Sequence, residues 1–334
     1  MKAAYLTGYG GSEVIRYGEL PDPVLQPGHV VVEVRAAGVN PVEIAMRSGE
    51  FRKYQKYRFP HVMGLDIAGV VAEVGDGVTG FKAGDEVYAV LPGRKQGGYA
   101  QRVLVPAANL ALKPSTLSHV EAASLPTVAL TVWQAFHERA KLQRGEKILI
   151  QPGAGGIGTF AIQLARHMGA EVYASASARN QDFLKALGAQ HPIDYAASVA
   201  GDSGPFDVVL DGLGGAAIAP SIRALKPKGR YVGLVRAADA RAFRELGVPA
   251  LFAWLAARRI RGYRQLARAR DVEYHGVLTR PDGKQLTAIA GLIDKGIIKP
   301  FVARTYPLRD LGQAFAELEA GHVRGKIVID ISGV

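Results

Sequence analysis

Apolar positions follow two rhythms along this chain. Residues 1–117 carry short Val-rich runs broken by Gly and Pro, as in PDPVLQPGHVVVEVRAAGVN (21–40) and GVVAEVGDGVTGFKAGDEVYAV (69–90). Parts of the second run alternate apolar with polar, and Gly-Asp and Gly-Val pairs punctuate it, which predicts a strand-rich, barrel-like domain. From about residue 118, strand-sized apolar runs alternate with helical stretches. The predicted strands are 147–150, 172–174, 191–193, 207–210, 230–234 and 259–262. Strands joined by such crossovers describe an α/β, doubly wound parallel sheet. Beyond Arg264, PDGKQLTAIAGLIDKG (281–296) reads as a capped helix and KIVIDI (326–331) as a strand that rejoins the first domain. The expected organisation is therefore residues 1–119 plus 265–334 as the strand-rich domain, with 120–264 inserted as the parallel sheet. A cleft between two such domains is the natural place for a ligand.

The junction at 147–169, KILIQPGAGGIGTFAIQLARHMG, carries the clearest chemistry. An apolar run ends in Gly153-Ala154-Gly155-Gly156-Ile157-Gly158, and a helical pattern follows at once. Strand, glycine turn and helix together form the dinucleotide-binding fingerprint. One glycine permits the tight turn, a second lets backbone N–H groups approach a diphosphate, and a third lets helix and strand pack closely. The diphosphate then sits at a helix N-terminus, where unpaired N–H groups and the positive dipole end stabilise it. Past the next strand, an NAD site usually places an acid for the ribose 2′-OH, about 20 residues beyond the first glycine. No acid lies between Val172 and Gln181; Ser175, Ser177 and Arg179 stand there instead. An acid would repel a 2′-phosphate and Arg179 would attract it, so the expected cofactor is NADP(H). The serines also suit a helix cap beside the same phosphate.

Composition narrows the classes. With 334 residues, 48% apolar and 21% charged, the chain has material for two cores. It has no cysteine, which excludes disulfides, a thiolate nucleophile and a Cys-type zinc site. MKAAYLTGYGG lacks a signal-peptide core, and the apolar window near 248–257 is too short to span a bilayer, so a cytoplasmic protein is expected. Net charge is +11, part of it in RRIRGYRQLARAR (258–270). Such a stretch can bind nucleic acid or anionic lipid, but with Tyr263 as its one aromatic it is read as a solvated face, with no nucleic acid or membrane partner expected. The overall positive field attracts an anionic cofactor.

Taken together, these segments resemble the zinc-independent medium-chain dehydrogenases/reductases, and within them the quinone oxidoreductases related to zeta-crystallin. The likeness runs through AGVNPVEIAMRSG (37–49), GLDIAGVVAEVGDGVTGFKAGDEVY (64–88), GGYAQ (97–101), AASLPTVALTVWQA (122–135), PGAGGIGTFAIQLA (152–165), IDY (193–195) and GHVRGKIVI (321–329). YHGVLTRPDGKQL (274–286) resembles the subgroup that includes the mitochondrial reticulon-interacting reductases. The resemblance implies a Rossmann sheet inserted into a GroES-like domain, NADPH-dependent reduction of a quinone or α,β-unsaturated carbonyl, and a homodimer. Zinc-dependent relatives carry Cys where this chain has Asn40 and Gly-His-Glu where it has Gly64-Leu65-Asp66, so no metal is expected. Without a Lewis acid, the acceptor must delocalise charge by itself, as an enone or quinone does.

The resemblance also implies site residues. Asn40 falls near the nicotinamide ribose and can bond a developing oxyanion, although Asn before Pro is equally a good turn residue. Tyr54 and Tyr57 follow the RSG turn and can donate a proton or hydrogen bond, or stand as surface aromatics. Relatives often carry Tyr at the positions of Ala45 or Phe51, which here lack a hydroxyl and leave solvent as a proton source. Thr127 and Thr131 lie where a family helix meets the nicotinamide, Tyr195 near the adenosine phosphate, and Leu234 and Val235 at a carboxyl strand edge. Lys326 can reach a phosphate or ribose, or stand solvated. A dimer is expected through an edge strand at 259–262, with Phe252, Trp254 and Leu255 as apolar area to bury. A non-catalytic NADPH-sensing or RNA-binding protein on the same fold is the other class left open, favoured by the Arg258–Arg270 cluster.

Overall fold

The computed structural model describes residues 1–52, 56–93, 96–197, 203–245, 247–321 and 323–333. It divides into two compact units, Met1–Ala129 with Pro281–Val334, and Leu130–Arg280.

In the first unit the Val-rich run becomes the strand His29–Gly38, which pairs antiparallel with Asp66–Val74. β-Branched side chains are stiff and pack well on a pleated surface, which suits such a run to a strand. Val30, Val32 and Val34 point to one face, with Ile67, Val71, Phe315, Ile327 and Ile329 in the same core. The strand Lys326–Asp330 pairs antiparallel with the end of His29–Gly38, setting Val328 opposite Gly38. The C-terminal segment thus rejoins the first unit within a seven-stranded sheet. Gly38 is required at this junction: a Cβ there would lie 2.4 Å from the Ala123 carbonyl oxygen and 3.0 Å from Asp66 Cβ. Its absence lets the helix His119–Ala123 lie against the strand.

The second unit is a six-stranded sheet in which every neighbouring pair is parallel. Its spatial order is His191–Asp194, Glu171–Ala176, Lys147–Gln151, Phe206–Asp211, Leu225–Gly233, Glu273–Gly276. In chain order this is 3-2-1-4-5-6, the dinucleotide-binding arrangement, whose ligand crevice lies at the carboxyl ends where the order reverses. The reversal falls between Lys147–Gln151 and Phe206–Asp211.

The sixth strand corrects the sequence expectation. Residues 259–262 are not a strand: Ala257–Ile260 is a 3-10 turn and Arg261–Ala269 an α-helix. Ile260 and Ala267 are buried while Tyr263 and Leu266 pack against the core, a spacing of three to four that belongs to a helix. Four residues read as a strand in isolation; the longer period identifies the helix. The edge strand is Glu273–Gly276, and the second unit runs to Arg280 rather than 264. The first unit extends to Ala129 rather than 119.

Candidate functional site

The glycine turn in the second unit shows what each glycine does. Gly153 N–H donates to Ser175 O at 2.7 Å, clamping the turn to the neighbouring strand. A Cβ on Gly153 would meet Leu184 Cδ2 at 2.9 Å and Ala174 Cβ at 3.1 Å. On Gly158 it would fall 2.3 Å from Pro152 O and 2.4 Å from Gly153 O. Gly158 is therefore the close-packing glycine between helix Gly156–His167 and the turn. Gly155 differs: nothing lies within 4 Å of a Cβ placed there. It caps the helix with no side chain, so the first-turn N–H groups of Gly156 and Ile157 are left for an anion, with the partly exposed backbone beside open space. Ala154 is buried in the turn.

Ser177, Arg179 and Tyr195 follow the carboxyl ends of two adjacent strands, Glu171–Ala176 and His191–Asp194. Ala176 pairs with Asp194, and Tyr195 N–H donates to Ala176 O at 3.3 Å. Ser177 caps the turn Ala178–Asn180, its Oγ accepting from Asn180 Nδ2 at 3.2 Å. Arg179 and Tyr195 are exposed. Ser175 stands apart, buried within its strand. Its carbonyl holds Gly153, so its contribution is to the turn rather than to the rim.

At the other side of the reversal, Leu234 and Val235 follow strand Leu225–Gly233, with Val235 exposed. Asp211, which sequence reasoning missed, organises the neighbouring loop. Fully buried, it accepts from Leu213 N at 2.8 Å, Gly214 N at 3.0 Å and Tyr231 Oη at 2.9 Å. The loop presents Leu213 exposed at the strand end adjacent to that of Val235. Thr131 is buried, its hydroxyl paired with that of Thr279.

Within the first unit the strand register builds a buried polar network. Asp66 lies opposite Gly38, and Val39 N–H donates to Ile327 O at 3.0 Å, so the ends of three strands meet beside Asn40. Asn40 Nδ2 donates to Asp66 Oδ2 at 2.9 Å, and Lys326 Nζ donates to Asn40 Oδ1 at 2.7 Å and Val39 O at 2.6 Å. Lys326 Nζ also stands 3.7 Å from Asp66 Oδ2. An ammonium only donates and a carboxylate accepts, so these partners fix the amide orientation and leave Asn40 Nδ2 a second N–H. Thr127 donates through N and Oγ1 to Asp66 Oδ1, at 2.8 and 2.5 Å. Lys326 is thus buried and turned inward, neither solvated nor extended toward a phosphate.

Glu43 completes the network from the first turn of helix Pro41–Arg47. Its carboxyl accepts from Asn40 N at 2.8 Å, Leu65 N at 2.8 Å and Tyr99 Oη at 2.6 Å. Burial pushes the Glu43 carboxyl up to about 7, against the Tyr99 and Asn40 hydrogen bonds. Burial also raises Asp66, against the Lys326 charge, and lowers Lys326, against the charges of Asp66 and Glu43. One cation, Lys326, thus faces two buried carboxyls, and burial favours the protonated form of Glu43.

Tyr57 lies in the same unit. Its ring stacks on His61 at 3.9 Å, and its hydroxyl accepts from Gln96 Nε2 at 3.4 Å. Burial pushes that hydroxyl up to about 12, which favours hydrogen bonding over proton release. His61 and Gln96, which sequence reasoning did not single out, lie together beside Tyr57, and burial lowers the His61 imidazole against its hydrogen bond to Gln96. Tyr54 lies outside the described residues.

Residues 26–115 match the family model described as alcohol dehydrogenase GroES-like domain, and 187–329 that described as zinc-binding dehydrogenase. The mouse (Mus musculus) mitochondrial NAD(P)H oxidoreductase RTN4IP1 is 35% identical, the match covering 99% of this chain and 89% of that one. A chloroplastic NADPH-dependent alkenal/one oxidoreductase of Arabidopsis thaliana is 31% identical over 98% of this chain and 79% of its own. The quinone oxidoreductase structure from Coxiella burnetii superposes with a TM-score of 0.87 at 31% identity, covering 99% of both chains. The chain belongs to the quinone oxidoreductases of the medium-chain dehydrogenase/reductase family. It is an oxidoreductase, and its relatives' cofactor class is the nicotinamide nucleotides.

As a member of that family, the chain has a turn that fits the cofactor: the open side of Gly155 and the first helical N–H groups suit a diphosphate. The positions of zinc ligands do not fit zinc. Leu65 has no donor atom, and Asn40 Oδ1 already accepts from an ammonium. Among the described residues no group of three His, Cys, Asp or Glu side chains is placed to hold a metal. Glu43, three residues beyond Asn40 at capping-box spacing, was locally legible as a helix-cap partner but not as part of a site, and nothing local tied Asp66 to Asn40.

Glu43 yields a pH prediction. Its folded value of about 7 stands above the ordinary 4.5, so folding favours the protonated form. That stabilisation is fully present below about pH 4.5 and is lost as pH rises through about 7. Across that window the wild type is expected to lose on the order of 3 kcal/mol relative to Glu43→Gln, which cannot titrate. Urea unfolding of both proteins at several pH values measures this; parallel stability curves would remove the assignment.

Proposed function

We propose that this oxidoreductase reduces a quinone or an α,β-unsaturated carbonyl with NADPH, without zinc. The observation that carries the reading is the Asn40 amide, held between Lys326 and Asp66 with one N–H left over. Bound NADPH supplies a hydride to the acceptor. In an enone the β-carbon receives it and the carbonyl oxygen becomes an enolate oxygen; a proton from solvent then completes reduction at the α-carbon. The chain's part is to stabilise that oxygen. Lys326 withdraws electron density through Asn40 Oδ1, which strengthens the remaining Nδ2–H as a donor. A preorganised donor in a dry site acts on charge that grows in the transition state, the largest usual catalytic contribution. Turnover of 1,4-naphthoquinone and a simple enone with NADPH tests the reading, and no oxidation of NADPH by either would defeat it.

The preference for NADPH rests on Ser177 and Arg179 just past strand Glu171–Ala176, with no acid between Val172 and Gln181. Arg179→Ala is expected to weaken NADPH binding by roughly 10- to 150-fold, the loss of one charge-assisted contact of about 1.5–3 kcal/mol, and to leave NADH binding nearly unchanged. Titration of both nucleotides checks this; equal wild-type affinities would refute the preference. Elemental analysis is expected to find no stoichiometric zinc, and chelator should leave turnover intact. A homodimer also belongs to this reading: Glu273–Gly276 is an edge strand, and a two-fold axis makes edge pairing self-complementary. Light scattering should then give about twice 35.6 kDa.

A further inference from the structure

We propose that the outer face of residues 250–270 docks the protein on an anionic lipid bilayer. The helix Ala250–Ala256 is arranged inside out for a surface helix. Its small residue Ala253 is buried, and so is Ala257 just beyond. Leu251, Phe252, Trp254 and Leu255 point outward, with exposures of 65%, 57%, 57% and 42%. Positions separated by one, three and four residues share one side of a helix, so these four form a single apolar patch. Surface helices normally bury their large apolar side chains, and an exposed patch of this kind marks an interaction site.

Charge adjoins the patch. Arg258, Arg259, Arg261, Arg264, Arg268 and Arg270 are all exposed, and no Asp or Glu occurs from 246 through 270. Ile260 and Ala267 are buried, and Tyr263 and Leu266 pack against the core of the unit; together they hold the helix Arg261–Ala269 inward and turn its arginines out. The Arg258 guanidinium lies 5.4 Å from the Trp254 ring centroid, so cation and apolar patch are contiguous.

A bilayer surface meets both features at once. The headgroup boundary accepts Leu, Phe and Trp, and anionic headgroups accept guanidinium groups. A second copy of the chain would set arginine against arginine. A single-stranded RNA would stack on Phe252 and Trp254 but would leave Leu251 and Leu255 in water. No helix among the described residues is long and apolar enough to cross a membrane, so this segment would lie in the plane of the interface.

Flotation of the full chain with vesicles tests the proposal, comparing phosphatidylcholine alone with phosphatidylcholine containing phosphatidylglycerol. The expected result is binding to the anionic vesicles, with a blue shift of tryptophan emission. R258Q/R259Q/R261Q should lower partitioning on the order of 100-fold, and F252S/W254S by about tenfold or more. Unchanged far-UV circular dichroism and melting temperature confirm that these exposed-site variants fold. Three results would each overturn the proposal. The first is no binding to either vesicle. The second is undiminished binding of F252S/W254S. The third is loss of a dimer in F252S/W254S without vesicle binding of the parent, which would make the patch a subunit interface. Binding of single-stranded RNA without binding of vesicles would overturn it as well.

Discussion

Lys326→Met is expected to destabilise the protein by about 3–5 kcal/mol at pH 8, the cost of leaving a buried charge without its partner. The lysine is the cation facing Asp66 and Glu43 in this network, and it bonds Asn40 Oδ1 and Val39 O. Met keeps most of the stem volume, so the change removes charge and donors rather than packing. The loss should shrink at pH 5. Burial already raises both carboxyls, and without the cation they rise further, so acid neutralises them. Adding Asp66→Asn should restore a part of the loss, because an amide needs no counter-charge and its oxygen still accepts from Thr127. Chemical denaturation of the single and double variants at both pH values measures this. Wild-type stability of Lys326→Met at pH 8 would mean that the network carries no such charge. Turnover of the single variant should also fall, because Asn40 loses the donor that orients and polarises it.

The glycine turn provides a second large effect, in which stability and binding separate. Gly158→Ala places a methyl 2.3 Å from Pro152 O and 2.4 Å from Gly153 O, both backbone atoms. Neither oxygen can yield without moving the turn, so the expected cost is about 3 kcal/mol, at the upper end of overpacking, with NADPH affinity reduced along with it. Gly155→Ala meets no protein atom within 4 Å, and its backbone angles of −78° and 173° suit any residue. Its stability should stay within about 0.5 kcal/mol of wild type. NADPH affinity should nevertheless fall by about tenfold or more, because the methyl takes space beside the helix N-terminus that a diphosphate needs. Calorimetric titration with thermal melting distinguishes the two variants. If Gly155→Ala bound NADPH as wild type does, the diphosphate would have to lie elsewhere.

Much of the second unit was determined by sequence alone, because its signals are local. A strand, a glycine turn and a helix within 147–167 need no distant partner to be recognised, and the strand–helix rhythm set the parallel sheet. The place of Ser177 and Arg179 just past a strand end was legible for the same reason, since a short window holds both. Residues 259–262 were misread because four residues span barely one helical turn, too few to tell a period of 3.6 from one of 2, and only the burial of Ile260 and Ala267 reveals the longer period. The outward turn of Leu251, Phe252, Trp254 and Leu255 was likewise decided by which side of the helix found a core.

The network in the first unit was decided largely by tertiary structure, its one local link being the capping contact of Asn40 with Glu43. Asn40 meets Asp66 across 26 residues and Lys326 across 286. Antiparallel pairing brings Gly38 opposite both Asp66 and Val328. Nothing in the residues around Lys326 distinguishes a solvated amine from a buried one, since burial is a property of neighbours supplied by the far end of the chain. Sequence named Asn40 and Lys326 separately. Only the register of three strands made them one site and added the Asp66 carboxylate to the locally placed Glu43.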